Sequence, residues 1–245
     1  MGITMGRAVD YLMRPFLMER VKQRAQRALS EYCELLLLSF AKPTKTYRIK
    51  EGYKHRRRQI RFDATEHDDA FQDDIYRFAR EVAAAHSHSR VLDIGCGSGF
   101  KLLKYFGDIN FVGLEVGETL EWLKEKFPEH DWRYSDFANP PVESFDLVIC
   151  ADVIEHLPDP DELLDFIDSI DSEHIVISTP DRDEVMRQWG ARPKGPPKNP
   201  CHIREWGFSE FEEYISSRFQ VLEHHPAEGM GQVILATKKG AEALC

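Results

Sequence analysis

The chain has 245 residues, 42% hydrophobic and 30% charged, with a formal net charge of −10. That is ordinary for a soluble globular protein with room for one sizeable core. No apolar run approaches the roughly 20 residues of a membrane helix, the first residues lack the sections of a secretory leader, and Gly6 stands where myristoylation wants Ser or Thr. Five scattered cysteines without a Cys-x-x-Cys pair argue for reduced thiols in the cytoplasm and against a zinc site.

The charge is unevenly placed. Residues 1–61 hold 15 Lys+Arg against 5 Asp+Glu, and the remainder holds 17 against 37. A basic start on an acidic body suggests an anionic partner for the start, such as a phosphate or the inner face of a membrane. The acidic body is expected to repel a nucleic-acid backbone, so nucleic acid is excluded from the expected partners.

Residues 6–40 carry Val9, Leu12, Met13, Phe16, Leu17 and Val21 at helical spacing, resuming at Ala25, Ala28, Leu29, Tyr32 and Cys33, with Arg and Lys between. Three readings stand: a lid on the following domain, pairing with another subunit to form a homo-oligomer, or contact with a membrane surface. Pro43 ends this helical stretch. The basic run from Arg48 to Arg61 is either a solvated connector or a clamp for a carboxylate or phosphate. The expected division is a basic helical extension over 1–65 and an α/β domain over 66–245.

A helix over 66–85 leads into the domain, followed by the polar turn His86-Ser-His88. Two histidines one residue apart suit a metal on a strand, but no further ligand is near in sequence, and a loop is expected. Then comes Arg90-Val-Leu-Asp-Ile-Gly-Cys-Gly-Ser-Gly-Phe100: a buried strand, a turn with Gly95, Gly97 and Gly99, and a helix. Glycines let the backbone take positive φ and let a ligand approach it, and amides at the helix start cradle polar groups. The next strand ends in Glu115, placed to accept the ribose hydroxyls of an adenosine. Cys96 and Cys150 read as apolar fillers.

Strands are expected at 90–95, 110–115, 131–134, 145–150, 173–178, 219–225 and 231–237, with helices at 99–106, 118–127, 160–169 and 208–217. This is a Rossmann-like, doubly wound, mostly parallel seven-stranded sheet. The last two strands have only a loop between them, which implies a terminal antiparallel strand. Between Thr179 and Phe208 lies a Pro- and Gly-rich insertion, 180–207, at the sheet edge where α/β proteins place ligands.

Together, Val91–Gly99, Glu115, Ser135-Asp-Phe137 and Phe145–Pro160, in that order, resemble the class I methyltransferases that use S-adenosylmethionine; the similarity covers roughly residues 70–240. The resemblance implies S-adenosylmethionine as cofactor. Gly95, Gly97 and Gly99 would allow its close approach, Asp93 would reach its ammonium through water, and Glu115 would hold the ribose. Asp136 would take the adenine amino group beside Phe137, and Ala151 and Asp152 would border the methionine part. Tyr53, His55 and Arg56 are similar to a Tyr-x-His-Arg segment of some small-molecule methyltransferases, which adds Tyr53 and Arg56 to the expected cofactor contacts. His202-Ile-Arg-Glu-Trp206 resembles a segment of sugar and glycan methyltransferases.

The expected chemistry is methylation of a hydroxyl on a sugar, glycan or other small molecule, anionic or lipid-linked, with His202 or His156 as general base. Arg204 and Asp181 are expected at the acceptor. Asn139-Pro-Pro141 lacks the aromatic residue, and the position after the fourth strand, of nucleobase N-methyltransferases. Asp152, Asp181 and Asp183 suit magnesium, but solvated turn acids are the plainer reading, and no metal is assigned. A non-catalytic or assembly protein on this fold, and C- or N-methylation of a small metabolite, stay open.

Overall fold

The computed structural model describes residues 45–56, 72–190 and 193–240. The expected helices over 6–40 and the 65/66 boundary lie outside them.

The elements run α1 (Asp73–Ala85), β1 (Arg90–Ile94), α2 (Phe100–Phe106), β2 (Asn110–Glu115), α3 (Gly117–Lys126), β3 (Asp131–Tyr134), β4 (Phe145–Ala151), a 3-10 turn (Ile154–His156), α4 (Pro160–Ser169), β5 (Ser172–Pro180), α5 (Arg182–Trp189), α6 (Phe208–Ser216), β6 (Phe219–Ala227) and β7 (Gly231–Lys238). One seven-stranded sheet has the order β3-β2-β1-β4-β5-β7-β6. β3, β2, β1, β4 and β5 are parallel. β7 runs antiparallel to both β5 and β6, as the short β6–β7 connection requires.

The central strands read as continuous apolar runs because helices cover both faces. Side chains alternate along β1, so Leu92 and Ile94 join one core cluster with Leu163 of α4 and Phe211 of α6. Val91 joins the other, with Ile75, Leu102 and Leu123 from α1, α2 and α3. Strand order reverses between β1 and β4, which opens a crevice at their carboxyl ends.

Two features differ from the sequence-based picture. The insertion contains α5, whose N-cap Asp181 accepts from the Asp183 amide and whose chain turns out at Gly190 in the left-handed region. The caps were legible; the surrounding prolines masked them. Residues 45–56 also pack against this domain. Ile49 and Tyr53 are buried in its core, Trp206 Nε1 donates to the Tyr47 carbonyl at 2.9 Å, and the Lys54 and Arg56 amides donate to the Lys194 and Ile203 carbonyls, each at 2.7 Å.

Candidate active site

Four strand ends converge on the crevice. Gly95, Gly97 and Gly99 all have positive φ, and a Cβ on Gly95 would come within 2.5 Å of Val153 Cγ2. Glu115 closes the loop from below: its Oε1 accepts from the Gly97 amide at 3.0 Å and its Oε2 from the Val116 amide at 2.7 Å. Asp136 forms a turn, accepting from the Ala138 amide at 3.0 Å and the Asn139 side chain at 2.6 Å, and Asn139 above all holds its pKa down. Phe137 packs on Phe166, ring centroids 5.0 Å apart. Ala151 ends β4, buried.

Asp93 is sealed from water. Its Oδ2 accepts from the Tyr76 hydroxyl at 2.8 Å, while Oδ1 has no hydrogen-bond partner. Burial pushes its pKa up to about 7. Asp152 has φ 53, a left-handed conformation that a non-glycine residue holds only when its surroundings fix it. Here Ser178 Oγ donates to its Oδ1 at 2.7 Å and Gln72 Nε2 to its Oδ2 at 3.0 Å. A glycine cradle, a ribose-side carboxylate and an orphaned buried carboxylate oxygen fit S-adenosylmethionine, whose sulfonium and ammonium are cationic.

Beyond β4 the chain makes the turn Ile154–His156, and the Glu155 carbonyl accepts from the Ile203 amide at 2.8 Å. That bond brings the insertion, and His202, against the turn. Glu155 is wholly buried. Its Oε2 accepts from Thr179 Oγ1 at 3.0 Å, but its Oε1 has no hydrogen bond. This Oε1 faces His156 Nε2 at 3.8 Å and His202 Nε2 at 3.9 Å.

Both rings have their tautomers set. His156 Nδ1 lies 2.8 Å from the Cys201 carbonyl, and His202 Nδ1 lies 2.6 Å from Glu205 Oε1. Each Nδ1–H therefore donates outward, and each Nε2 faces Glu155. The Asn199 amide, 2.9 Å from His202 Nε2, donates to it. Burial, with Asp152 second, pushes the Glu155 pKa up to about 8, and burial lowers that of His156.

Glu155, His156 and His202 each place one ligand atom within 4.8 Å of the others. Ligand atoms around a tetrahedral ion with bonds of about 2.0–2.2 Å stand roughly 3.3–3.5 Å apart, so small adjustments suffice. The outward Nδ1 bonds are the orienting contacts that metal-bound histidines require.

The two histidines expected as alternative bases thus form one cluster, ring centroids 5.0 Å apart. Glu155, Ser178, Thr179, Gln72 and Tyr76 were not singled out in the sequence. The adjacency of Glu155 to His156, three residues after Asp152, was the available signal.

Four expected contacts need correction. Arg204 is buried and donates to the Leu157 and Pro158 carbonyls, both at 2.7 Å; it anchors the insertion and does not face an acceptor. Asp181 is spent as the α5 cap, and Asp183 pairs with Arg182, which leaves the Asp152–Asp181–Asp183 metal set without support. The Tyr53 hydroxyl accepts from the Glu205 amide at 3.1 Å, and Arg56 Nη2 donates to the Pro197 carbonyl at 2.7 Å. Both brace the insertion where cofactor contacts were expected.

A family model for the methyltransferase domain matches residues 54–223, and the chain belongs to this family. Its domain is of the class I, S-adenosylmethionine-dependent methyltransferase type. The chain is 29% identical over 138 residues to the small RNA 2′-O-methyltransferase of Mus musculus, covering 44% of this chain and 33% of that protein. It is 36% identical over 88 residues to the ubiquinone biosynthesis O-methyltransferase of Hahella chejuensis, covering 31% and 36% respectively. The chain thus spans about a third of the length of these relatives. The N-methyltransferase NodS of Bradyrhizobium japonicum, solved in complex with S-adenosyl-L-homocysteine, superposes with a TM-score of 0.51 at 18% identity, covering 72% of this chain and 95% of that one.

These relatives correct the exclusion of nucleic acid, since one of them is named for an RNA substrate. The physical reason lies in how charge acts. Net charge sums over a whole surface, whereas RNA contact depends on the few cations that meet phosphates locally.

Proposed function

We propose that the protein methylates a ribose 2′-hydroxyl of RNA, at a centre where Glu155, His156 and His202 hold a divalent cation beside the cofactor crevice. The observation that carries this is the Glu155 Oε1, buried and without a hydrogen bond among the described residues, with His156 Nε2 at 3.8 Å and His202 Nε2 at 3.9 Å. Two imidazoles and a carboxyl group gathered this way are a donor set for a cation, with the Asn199 amide releasing His202 Nε2 to it. The 2′-O relative supports the acceptor. An RNA ribose replaces the small-molecule or glycan acceptor expected from the sequence.

S-adenosylmethionine supplies the methyl group on a positively charged sulfur, which leaves as a neutral thioether. A divalent cation held there would supply Lewis acidity that eases release of the acceptor proton to solvent. The chain does the rest. Gly95, Gly97 and Gly99 admit the cofactor, and Glu115 fixes the loop and accepts ribose hydroxyls. Asp152 sets a negative field toward its cationic part, and Asp93, whose Oδ1 is unpaired among the described residues, would ionise when that cation binds. The turn Ile154–His156 and the insertion hold the acceptor oxygen in line with the transferring methyl and shut out water.

The test offers purified protein and methyl-labelled cofactor an RNA, its all-2′-deoxy counterpart and a phenolic small molecule. Digestion to 2′-O-methylnucleoside from the RNA alone is expected. Label on a base, or on the phenol only, would overturn the acceptor assignment.

A further inference from the structure

A second donor cluster lies at the amino ends of the central strands, opposite the cofactor crevice. α1 ends at Ala85 and the chain turns through His86 and Ser87, with Ser87 at φ 58. The His88 amide returns to the Ala83 carbonyl at 2.8 Å. This reversal places the His86 and His88 rings side by side, centroids 5.5 Å apart and 19° between planes. β5 begins at Ser172, so Glu173 and His174 sit at its amino end, with β4 between it and β1. The His86 and His174 rings are 4.2 Å apart. His174 Nδ1 lies 3.6 Å from Glu173 Oε1 and 3.0 Å from His88 Nε2. The sequence showed only His86-Ser-His88 without further ligands; the fold supplies them from a strand far along the chain.

From this geometry we infer that His86, Glu173 and His174 bind a zinc-class divalent transition ion that ties the α1–β1 turn to the start of β5, with His88 orienting the His174 ring. The three residues each place one ligand atom within 4.8 Å of the others. His86 and Glu173 are exposed, and rotation about their side chains can close the set, while His88 and His174 are buried and fixed. Imidazoles with one carboxylate are a zinc-class donor set. The hydrogen bond between two ring nitrogens requires one protonated and one bare, the arrangement in which a neighbour sets a ligand's tautomer. The parallel strands carry their carboxyl ends to the cofactor crevice, so this site, at their amino ends, is separate from the methyl-transfer centre and clamps the fold.

The test uses the full chain carrying Glu155→Gln, which disables the catalytic cluster, stripped with chelator and titrated with cobalt(II), then zinc in competition. Expected is one tight equivalent with the visible absorption of nitrogen–oxygen ligation and no thiolate charge-transfer band. Adding His86→Ala, an exposed change, is expected to weaken binding at least tenfold and to abolish the zinc-induced rise in melting temperature. Adding Glu173→Gln should weaken it less. A thiolate band, affinity unmoved by His86→Ala, or no tight equivalent at all would overturn the inference. Circular dichroism of the ion-free variants, expected to match the parent, separates ligand loss from misfolding.

Discussion

Glu155 Oε1 and His202 Nε2 stand 3.9 Å apart in the interior, one brought by the turn after β4 and the other by the insertion, and no hydrogen bond satisfies the carboxylate oxygen. A buried polar atom left this way is costly unless something else pairs with it. A cation bound between Glu155 and the two imidazoles would resolve that cost.

Glu155→Gln keeps the shape and the partner for Thr179 but removes the charge. Methyl transfer is expected to fall by at least about 100-fold, as when a catalytic electrostatic donor is removed. Affinity for S-adenosylhomocysteine, measured by calorimetry, should stay within about threefold. Loss of cofactor binding would mean the residue serves the fold.

Glu205 reaches the centre only through His202 Nδ1. Glu205→Gln is expected to weaken cation binding by roughly 10- to 100-fold, the usual effect of an orienting partner. The cation concentration for half-maximal transfer reports this directly. A fall in maximal rate at unchanged cation dependence would contradict it.

Gly95→Ala meets two separate penalties. Its φ of 73 costs an alanine roughly 1–2 kcal/mol, and the new Cβ presses on Val153 Cγ2. The double variant Gly95→Ala/Val153→Ala should recover the steric part and leave the conformational part. Denaturant melts of the four-member cycle measure that coupling; additive losses would refute the contact.

Asp93 makes stability depend on pH. Its folded pKa, about 7, is above the ordinary 3.8, so the folded chain retains a proton that the unfolded chain releases. Stability is therefore highest below about pH 4, falls as pH rises through 7, and levels off above. Relative to Asp93→Asn, ligand-free protein should lose at most roughly 4 kcal/mol across that window, at about 1.4 kcal/mol per pKa unit. Parallel pH profiles for the two proteins would count against it.

The sheet was legible because its signals are local. Val91–Ile94 and Phe145–Ala151 are apolar runs, the glycines mark the turn, and Glu115 ends its strand. The centre was legible only in part. His156 and His202 stood out as titratable groups, but Glu155, adjacent to one and 3.9 Å from the other, depends on how the insertion folds back. Arg204 and Tyr53 misled for the same reason: an Arg or Tyr that binds backbone carbonyls or amides looks, in sequence, like one that binds a ligand. The His86–His174 cluster needed the strand order itself, which no local pattern contains.

The most direct measurement is the rate of methyl transfer by chelator-treated protein as a divalent cation such as manganese is titrated back. Negligible transfer is expected without the cation, with saturable recovery in the wild type that is absent in Glu155→Gln. Full activity in excess chelator would contradict it, and would return His156 and His202 to the role of general bases.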